Sequence, residues 1–263
     1  MNHNGIRPAE QAPPLVAVAH GTTDPAGAAA IRTLIRQVGL LRPGLDVTAA
    51  FLSNGTPSLD DALSAPVIGG RAPVVVPLLL SSGYHVRHGI PRIASAWRGP
   101  HDSIAITSHL GPDPLVIDIL ADEVERKLGA RRLSASRVVL AAAGSRDTLA
   151  ARETAAAAAL LSRRLGCPVR PAYVTTTEPP LDEALEHAAR EARGGCVIVA
   201  TYLLAPGEFE RRIHAAAANV TRACVQITEP LAPDPRLARL VLERYDASLA
   251  KRLRPAAELL PAA

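Results

Sequence analysis

The chain is one fold unit written twice. Its first half reads LVAVAHGTTDP over 15–25 and VVVPLLLSSGYHVRHGIP over 74–91, and its second half answers with VVLAAAGSRD over 138–147 and VIVATYLLAPGEFERRI over 197–213. Between these segments, AFLSNGTPSLDDAL (50–63) aligns without a gap on AYVTTTEPPLDEAL (172–185). The segments recur in the same order, 122 to 124 positions apart, which marks an internal duplication. The period is far longer than a solenoid repeat, so each copy is of domain size. In 263 residues this predicts two domains, 1–130 and 131–263, with the seam in the stretch LGARRLSASR at 128–137.

Each copy alternates strand and helix patterns. In the first, apolar runs predict strands at 15–20, 45–52, 74–80 and 103–107, with helices at 25–41, from 57 to 63, and at 113–128. The second repeats the plan with strands at 138–143, 168–174, 196–203 and 223–228 and helices at 148–165, 180–192, 208–217 and 234–252. Alternation of this kind predicts an α/β fold with two parallel sheets, each flanked by helices, and a pseudo-two-fold relation between the copies.

The copies share a frame but not their chemistry. Gly21 matches Gly144 and Gly83 matches Gly207, whereas His20 has become Ala143 and His85 has become Phe209. Ligands of open parallel sheets bind at the carboxyl ends of the strands. His20 ends the first strand, and His85 follows the apolar run that ends at Leu80 within a loop. The two imidazoles are therefore expected to converge on one cleft, in one active site rather than two. Neutral imidazole binds iron, cobalt, nickel and zinc, and two ligands leave coordination positions open. A histidine at a strand end more often stands in an ordinary solvated turn; its presence in one copy alone raises the weight of the metal reading.

The turns Gly21-Thr22-Thr23 and Ser81-Ser82-Gly83 offer backbone N–H groups to carboxylates or phosphates, or else are ordinary strand-to-helix turns. Arg87 and His88 follow His85, as ligands for an anion or as part of a solvated loop. Arg146, Arg211, Arg212, Glu208 and Glu210 stand at the matching stations of the second copy and would face the cleft from the other side. His101, His109, His187 and His214 read as surface residues, and His3 lies in an N-terminal tail. Histidine phosphatase chemistry is disfavoured because Ala19, not an arginine, precedes His20, and a serine hydrolase elbow is absent.

Composition narrows the partners. Aromatic residues make up 3 % and the net charge of +4 comes from scattered arginines, so neither base stacking nor a basic tract supports nucleic-acid binding. The same charge suits an anionic small molecule. No apolar run reaches membrane-spanning length, and the first fourteen residues lack the apolar core of a signal peptide. Cys167, Cys196 and Cys224 form no CxxC pair and read as reduced, mostly buried thiols. A soluble, cytoplasmic monomer is expected, without an organic cofactor and without ATP, since no GxxxxGK[ST] loop occurs.

His20-Gly21-Thr22 after the first strand, followed by PLLLSSGYHVRHGIP at 77–91, resembles the sirohydrochlorin chelatases of the class II chelatase group. The similarity spans nearly the whole chain, including the degenerate YLLAPGEF. It implies two tandem chelatase-like domains with a tetrapyrrole, sirohydrochlorin, held in the cleft between them. It implies insertion of Fe²⁺ or Co²⁺, with Ni²⁺ as a further ion, for sirohaem or cobalamin. By that match His20 and His85 are the metal-binding and catalytic pair. Gly21, Thr22, Ser81, Ser82, Gly83, Tyr84, Arg87, Arg146 and Glu208 surround the substrate. One departure stands out: where the family often has a glutamate at the end of the second strand, this chain has Ser53. Either Glu178, Glu208 or Asp24 supplies a carboxylate, with Glu208 the foremost candidate, or the two histidines suffice. A tetrapyrrole or metal carrier using the same cleft is the non-enzymatic alternative.

Overall fold

The computed structural model describes residues 12–64, 71–97, 103–129, 136–192 and 195–253. Its first half comprises β1 (Leu15–Ala19), α1 (Pro25–Leu41), β2 (Val47–Phe51), α2 (Leu59–Ser64), β3 (Val74–Pro77), a π-helical turn (His85–Gly89), α3 (Ile90–Ala96), β4 (Ala105–Ile106) and α4 (Pro114–Leu128). The second half comprises β5 (Arg137–Ala142), α5 (Thr148–Leu165), β6 (Val169–Tyr173), α6 (Leu181–Glu191), β7 (Cys196–Tyr202), α7 (Glu208–Ala218), β8 (Cys224–Ile227) and α8 (Pro235–Leu253). Two four-stranded sheets result, ordered β2-β1-β3-β4 and β6-β5-β7-β8, with parallel pairing throughout. The expected α/β architecture with two sheets flanked by helices is present.

Three differences have local causes. The strand expected at 103–107 shrinks to Ala105–Ile106, and the run at 74–80 is strand only to Pro77. Pro77 has no N–H to offer a neighbouring strand, and beyond it the chain turns into the cleft. The helical stretch 85–96 was not expected, because glycine and proline punctuate it at Gly89 and Pro91. Pro91 sits in the first turn of α3, where its missing N–H costs nothing. Most of the seam at 128–137 lies outside the described residues.

Strand periodicity sorts the core into layers. Leu15, Ala17, Ala19, Val74 and Val76 join Val138, Leu140, Ala142, Ile198 and Tyr202 in one central cluster with residues of α1, α4, α5 and α8. The alternate residues Val16, Val18 and Val75 face outward onto α2 and α3, and Val139, Ala141, Val197 and Val199 onto α6 and α7. Both sheets are thus buried on two faces, which explains their continuous apolar strands. The central helices are exchanged: α4 packs on α5 and β7 of the second half, and α8 packs on α1 and β3 of the first. Aspartates cap these helices. Asp24, Asp113 and Asp147 accept from Ala26 N, Leu115 N and Leu149 N at 2.9 Å, and Asp234 from Arg236 N at 2.8 Å.

The halves also clasp reciprocally at the cleft. Arg87 pairs with Asp147 at 2.8 Å, and the matching Arg211 pairs with Asp24 at 2.7 Å. Residue i on one side meeting j on the other, and j meeting i, is the signature of a two-fold relation. Because α4 and α8 each bury their apolar face on the opposite half, the chain is expected to unfold in one cooperative transition. Leu240→Ala, at a fully buried position of α8, should cost about 2–5 kcal/mol. It should lower one common midpoint when fluorescence and circular dichroism are followed in urea. Two separated transitions would contradict this shared core.

Candidate active site

In each sheet the strand order reverses between β1 and β3, or between β5 and β7, and a crevice opens at that switch point. In the first half His20 follows β1 and His85 follows β3, so both rings stand on this crevice. Their centroids lie 4.9 Å apart with planes at 90°. The convergence expected from the sequence is present.

His20 is set by the turn it stands in. Ser53 N donates to His20 O at 2.9 Å, extending the β1–β2 ladder by one step. Gly21 follows with φ +102°, and a Cβ there would lie 1.5 Å from the Ser53 carbonyl oxygen. Only glycine fits this close approach. Ser53 Oγ donates to His20 O at 3.0 Å, and its oxygen faces His20 Nδ1 at 3.5 Å, the outer limit of a hydrogen bond. Ser53 therefore touches His20 at its carbonyl and beside Nδ1 and brings no charge to the site.

His85 is not in a loop, as the sequence suggested, but opens the π-helical turn, where Ile90 N bonds to His85 O. Such turns recur at functional sites because they displace side chains from the regular helical register. Gly89 packs beneath the ring: its backbone is ordinary helix, yet a Cβ would come within 3.1 Å of His85 Nδ1. Tyr84, 64 % exposed, meets His85 edge-on at 5.8 Å. Burial lowers the His85 pKa below the usual 6.5, and the neighbouring His20 lowers it further. The imidazole is thus neutral at neutral pH, with a lone pair to give.

The crevice opens into a cavity of about 540 Å³ between the halves. On the histidine side it is lined by Gly21, Thr22, Thr23, Ser81, Gly83 and Tyr84. Opposite stand Ala143, Tyr202, Leu203, Leu204 and Phe209, with Glu208 and Glu210 at the same wall. Two imidazoles on one side thus face mostly small and apolar groups across the cavity, with the carboxylates of Glu208 and Glu210 among them.

Other expected site residues fall elsewhere. Arg87 and Arg146 do not line the cavity; Arg87 ties the halves together through Asp147, and Arg146 is exposed. Arg211 is likewise taken by Asp24 and Glu208, and Arg212 donates to the Val174 carbonyl at 2.7 Å. Ser82 is buried behind the cavity wall, its N–H donating to Glu153. Among the described residues no group of three or more histidine, cysteine or carboxylate side chains could hold a metal. Glu208, Asp24 and Glu178 therefore do not complete a three-ligand set with the histidines; Asp24 caps α1 instead. His109 is not a surface residue: its side chain is 13 % exposed and lies 3.4 Å from Glu153. His187 and His214 are exposed, with His187 Nε2 3.1 Å from Glu191, while His3 and His101 lie outside the described residues. Cys224 is exposed rather than buried, and all three cysteines are free. No helix among the described residues is long and apolar enough to cross a membrane.

The CbiX family model matches residues 14–127 and again 137–248. The chain belongs to the CbiX family. Each match covers one repeat, so the two halves described above are two CbiX repeats. Among solved structures, SirB from Bacillus subtilis with Fe³⁺ aligns with a TM-score of 0.73 at 22 % identity, over 90 % of this chain and 96 % of that one. SirB from Bacillus subtilis subspecies spizizenii in complex with cobalt aligns at 0.69 and 20 % identity, over 91 % and 97 %. CbiX, the terminal enzyme for biosynthesis of siroheme in denitrifying bacteria, aligns at 0.69 and 20 % identity, over 89 % and 99 %. Comparison with curated proteins by sequence gave no match. These structures share the tandem fold of the two CbiX repeats.

The coupling between the two rings has a direct consequence. In an NMR titration the His85 ring should titrate below 6.5, and His20→Ala should move its midpoint upward only part of the way, since burial is the larger cause. A His85 midpoint that ignores the substitution would show that the rings do not sense each other.

Proposed function

We propose that this CbiX-family protein is a sirohydrochlorin chelatase. It inserts Fe²⁺ or Co²⁺ into sirohydrochlorin on the way to sirohaem or cobalamin, in an ATP-independent reaction in the cytoplasm of the cell. The reading rests on one observation above all: two perpendicular imidazoles 4.9 Å apart, on one side only of an inter-repeat cavity. It also assigns the two functional units to residues 1–130 and 131–263, with one chain acting as a monomer.

Free ion and free macrocycle combine slowly because the ion must shed water while a stiff ring opens to receive it. In this reading the two histidines hold the ion with open coordination positions. The contact of Ser53 with His20 Nδ1 leaves Nε2 as the ligating nitrogen. The ring enters between the histidine turns and the apolar wall of Tyr202, Leu203 and Phe209. As ring nitrogens replace imidazole nitrogens on the ion, two pyrrolic N–H protons must leave. The freed imidazoles are the nearest bases. Their closeness, and the burial that disfavours charge on His85, send those protons on to solvent and reset the site. The hydroxyls of Thr22, Thr23 and Ser81, which line the cavity, meet the peripheral carboxylates at the rim, since the Thr22, Ser82 and Gly83 N–H groups are already bonded within the protein.

His85→Ala is expected to fold normally and to reduce Co²⁺ insertion by two orders of magnitude or more, on the scale of losing a group that acts in the transition state. The measurement is the absorbance change of sirohydrochlorin with Co²⁺ or Fe²⁺ at substoichiometric protein. Wild-type protein should pass through many turnovers; a carrier would stop at one equivalent. Wild-type rates in a well-folded His85→Ala protein would refute the assignment.

A further inference from the structure

The turn that delivers His85 is held from the opposite repeat. Ser82 N donates to Glu153 Oε2 at 2.6 Å, and Glu153 belongs to α5. Two residues earlier, Leu80 O accepts from the Tyr202 hydroxyl at 3.1 Å, again across the repeats. The other carboxylate oxygen, Glu153 Oε1, lies 3.4 Å from His109 Nε2, with side-chain exposures of 20 % and 13 %.

The duplication shows what this arrangement is for. At the repeat spacing Glu153 corresponds to Ala30 and Ser82 to Pro206, and the matching helix caps Asp113 and Asp234 align His109 with Pro230. The mirror-image bond therefore lacks both its acceptor and its donor, since proline has no N–H. Reciprocal contacts that merely join the repeats, such as Arg87–Asp147 and Arg211–Asp24, are kept on both sides. The Glu153 contact survives only where a histidine survives. General support of the fold would be needed twice; support of a metal ligand is needed once.

We propose that Glu153 is a positioning residue for His85, acting through the Ser82 peptide; this rests on the reading of His20 and His85 as the metal pair. A carboxylate accepting from a shielded backbone N–H makes a charge-assisted bond and fixes the 81–82 peptide plane. Three residues on, that plane sets where the π-helical turn begins and where the His85 ring stands relative to His20. Partners that hold a ligand in place commonly change metal affinity by about ten- to a hundredfold when removed.

The test is Co²⁺ titration of the full-length protein without tetrapyrrole, followed by its visible absorption, with metal KM, sirohydrochlorin KM and the thermal midpoint measured in parallel. Glu153→Ala and Glu153→Asp should weaken Co²⁺ binding by about ten- to a hundredfold and raise the metal KM more than the sirohydrochlorin KM. Glu153→Gln keeps an oxygen at the right reach and should restore both. If the alanine variant does not fold, the contrast between Asp and Gln decides. Unchanged Co²⁺ affinity in folded Glu153→Ala or Glu153→Asp protein, or equal loss in Gln and Ala, overturns the proposal. Wild-type protein that binds no Co²⁺ through His20 and His85 would instead sink the underlying reading of the site.

Discussion

Four helices buried between two sheets set everything else. Because α1, α4, α5 and α8 are packed from both sides and two of them are exchanged, neither repeat can shift without exposing the common core. The crevice at the switch point of the first sheet is thereby fixed against the wall of the second. The proposed metal transfer needs that constancy. Reacting centres must meet at bonding distance, and errors of an ångström in such geometry are expensive in rate. The surface ion pairs at the cleft add little by comparison, since exposed pairs contribute about 0–1 kcal/mol.

The chemical difference between the repeats gives the cleft its two unlike walls. The first repeat keeps the imidazoles and the polar turns. The second carries Ala143 and Phe209 at the matching stations, and its wall is mostly small and apolar groups with Glu208 and Glu210 among them. A symmetric pair of metal sites facing each other would leave no apolar surface for the face of a macrocycle. In the proposed reading, the histidine wall presents the ion to one face of a ring and the opposite wall supports the other.

Much of this was legible in the chain. The repeat, the parallel sheets and the meeting of His20 with His85 follow from strand-end positions, since a parallel sheet puts all such ends on one edge. What was not legible depends on contacts between distant segments. Arg87 and Arg146 look like anion ligands because each is a cation just past a glycine turn; only the fold reveals that Asp147 takes Arg87. His109 looks like a surface residue because nothing near it in sequence pairs with it, while its neighbour Glu153 lies on the other repeat. The helical stretch at 85–96 is hidden by Gly89 and Pro91, each of which has a local reason to be there that pattern reading cannot see. The repeat itself carried an unused signal: every position where the copies differ in chemistry, as Glu153 differs from Ala30, is a candidate for the one-sided function.

The central claim is that His20 and His85 share a single ion. Diffraction from a Co²⁺-soaked crystal, collected at the cobalt absorption edge, tests it most directly. One anomalous peak per chain, within bonding distance of both imidazoles and open toward the inter-repeat cavity, is the expected result. A peak held by other residues, or none at the histidine pair at saturating cobalt, would contradict it.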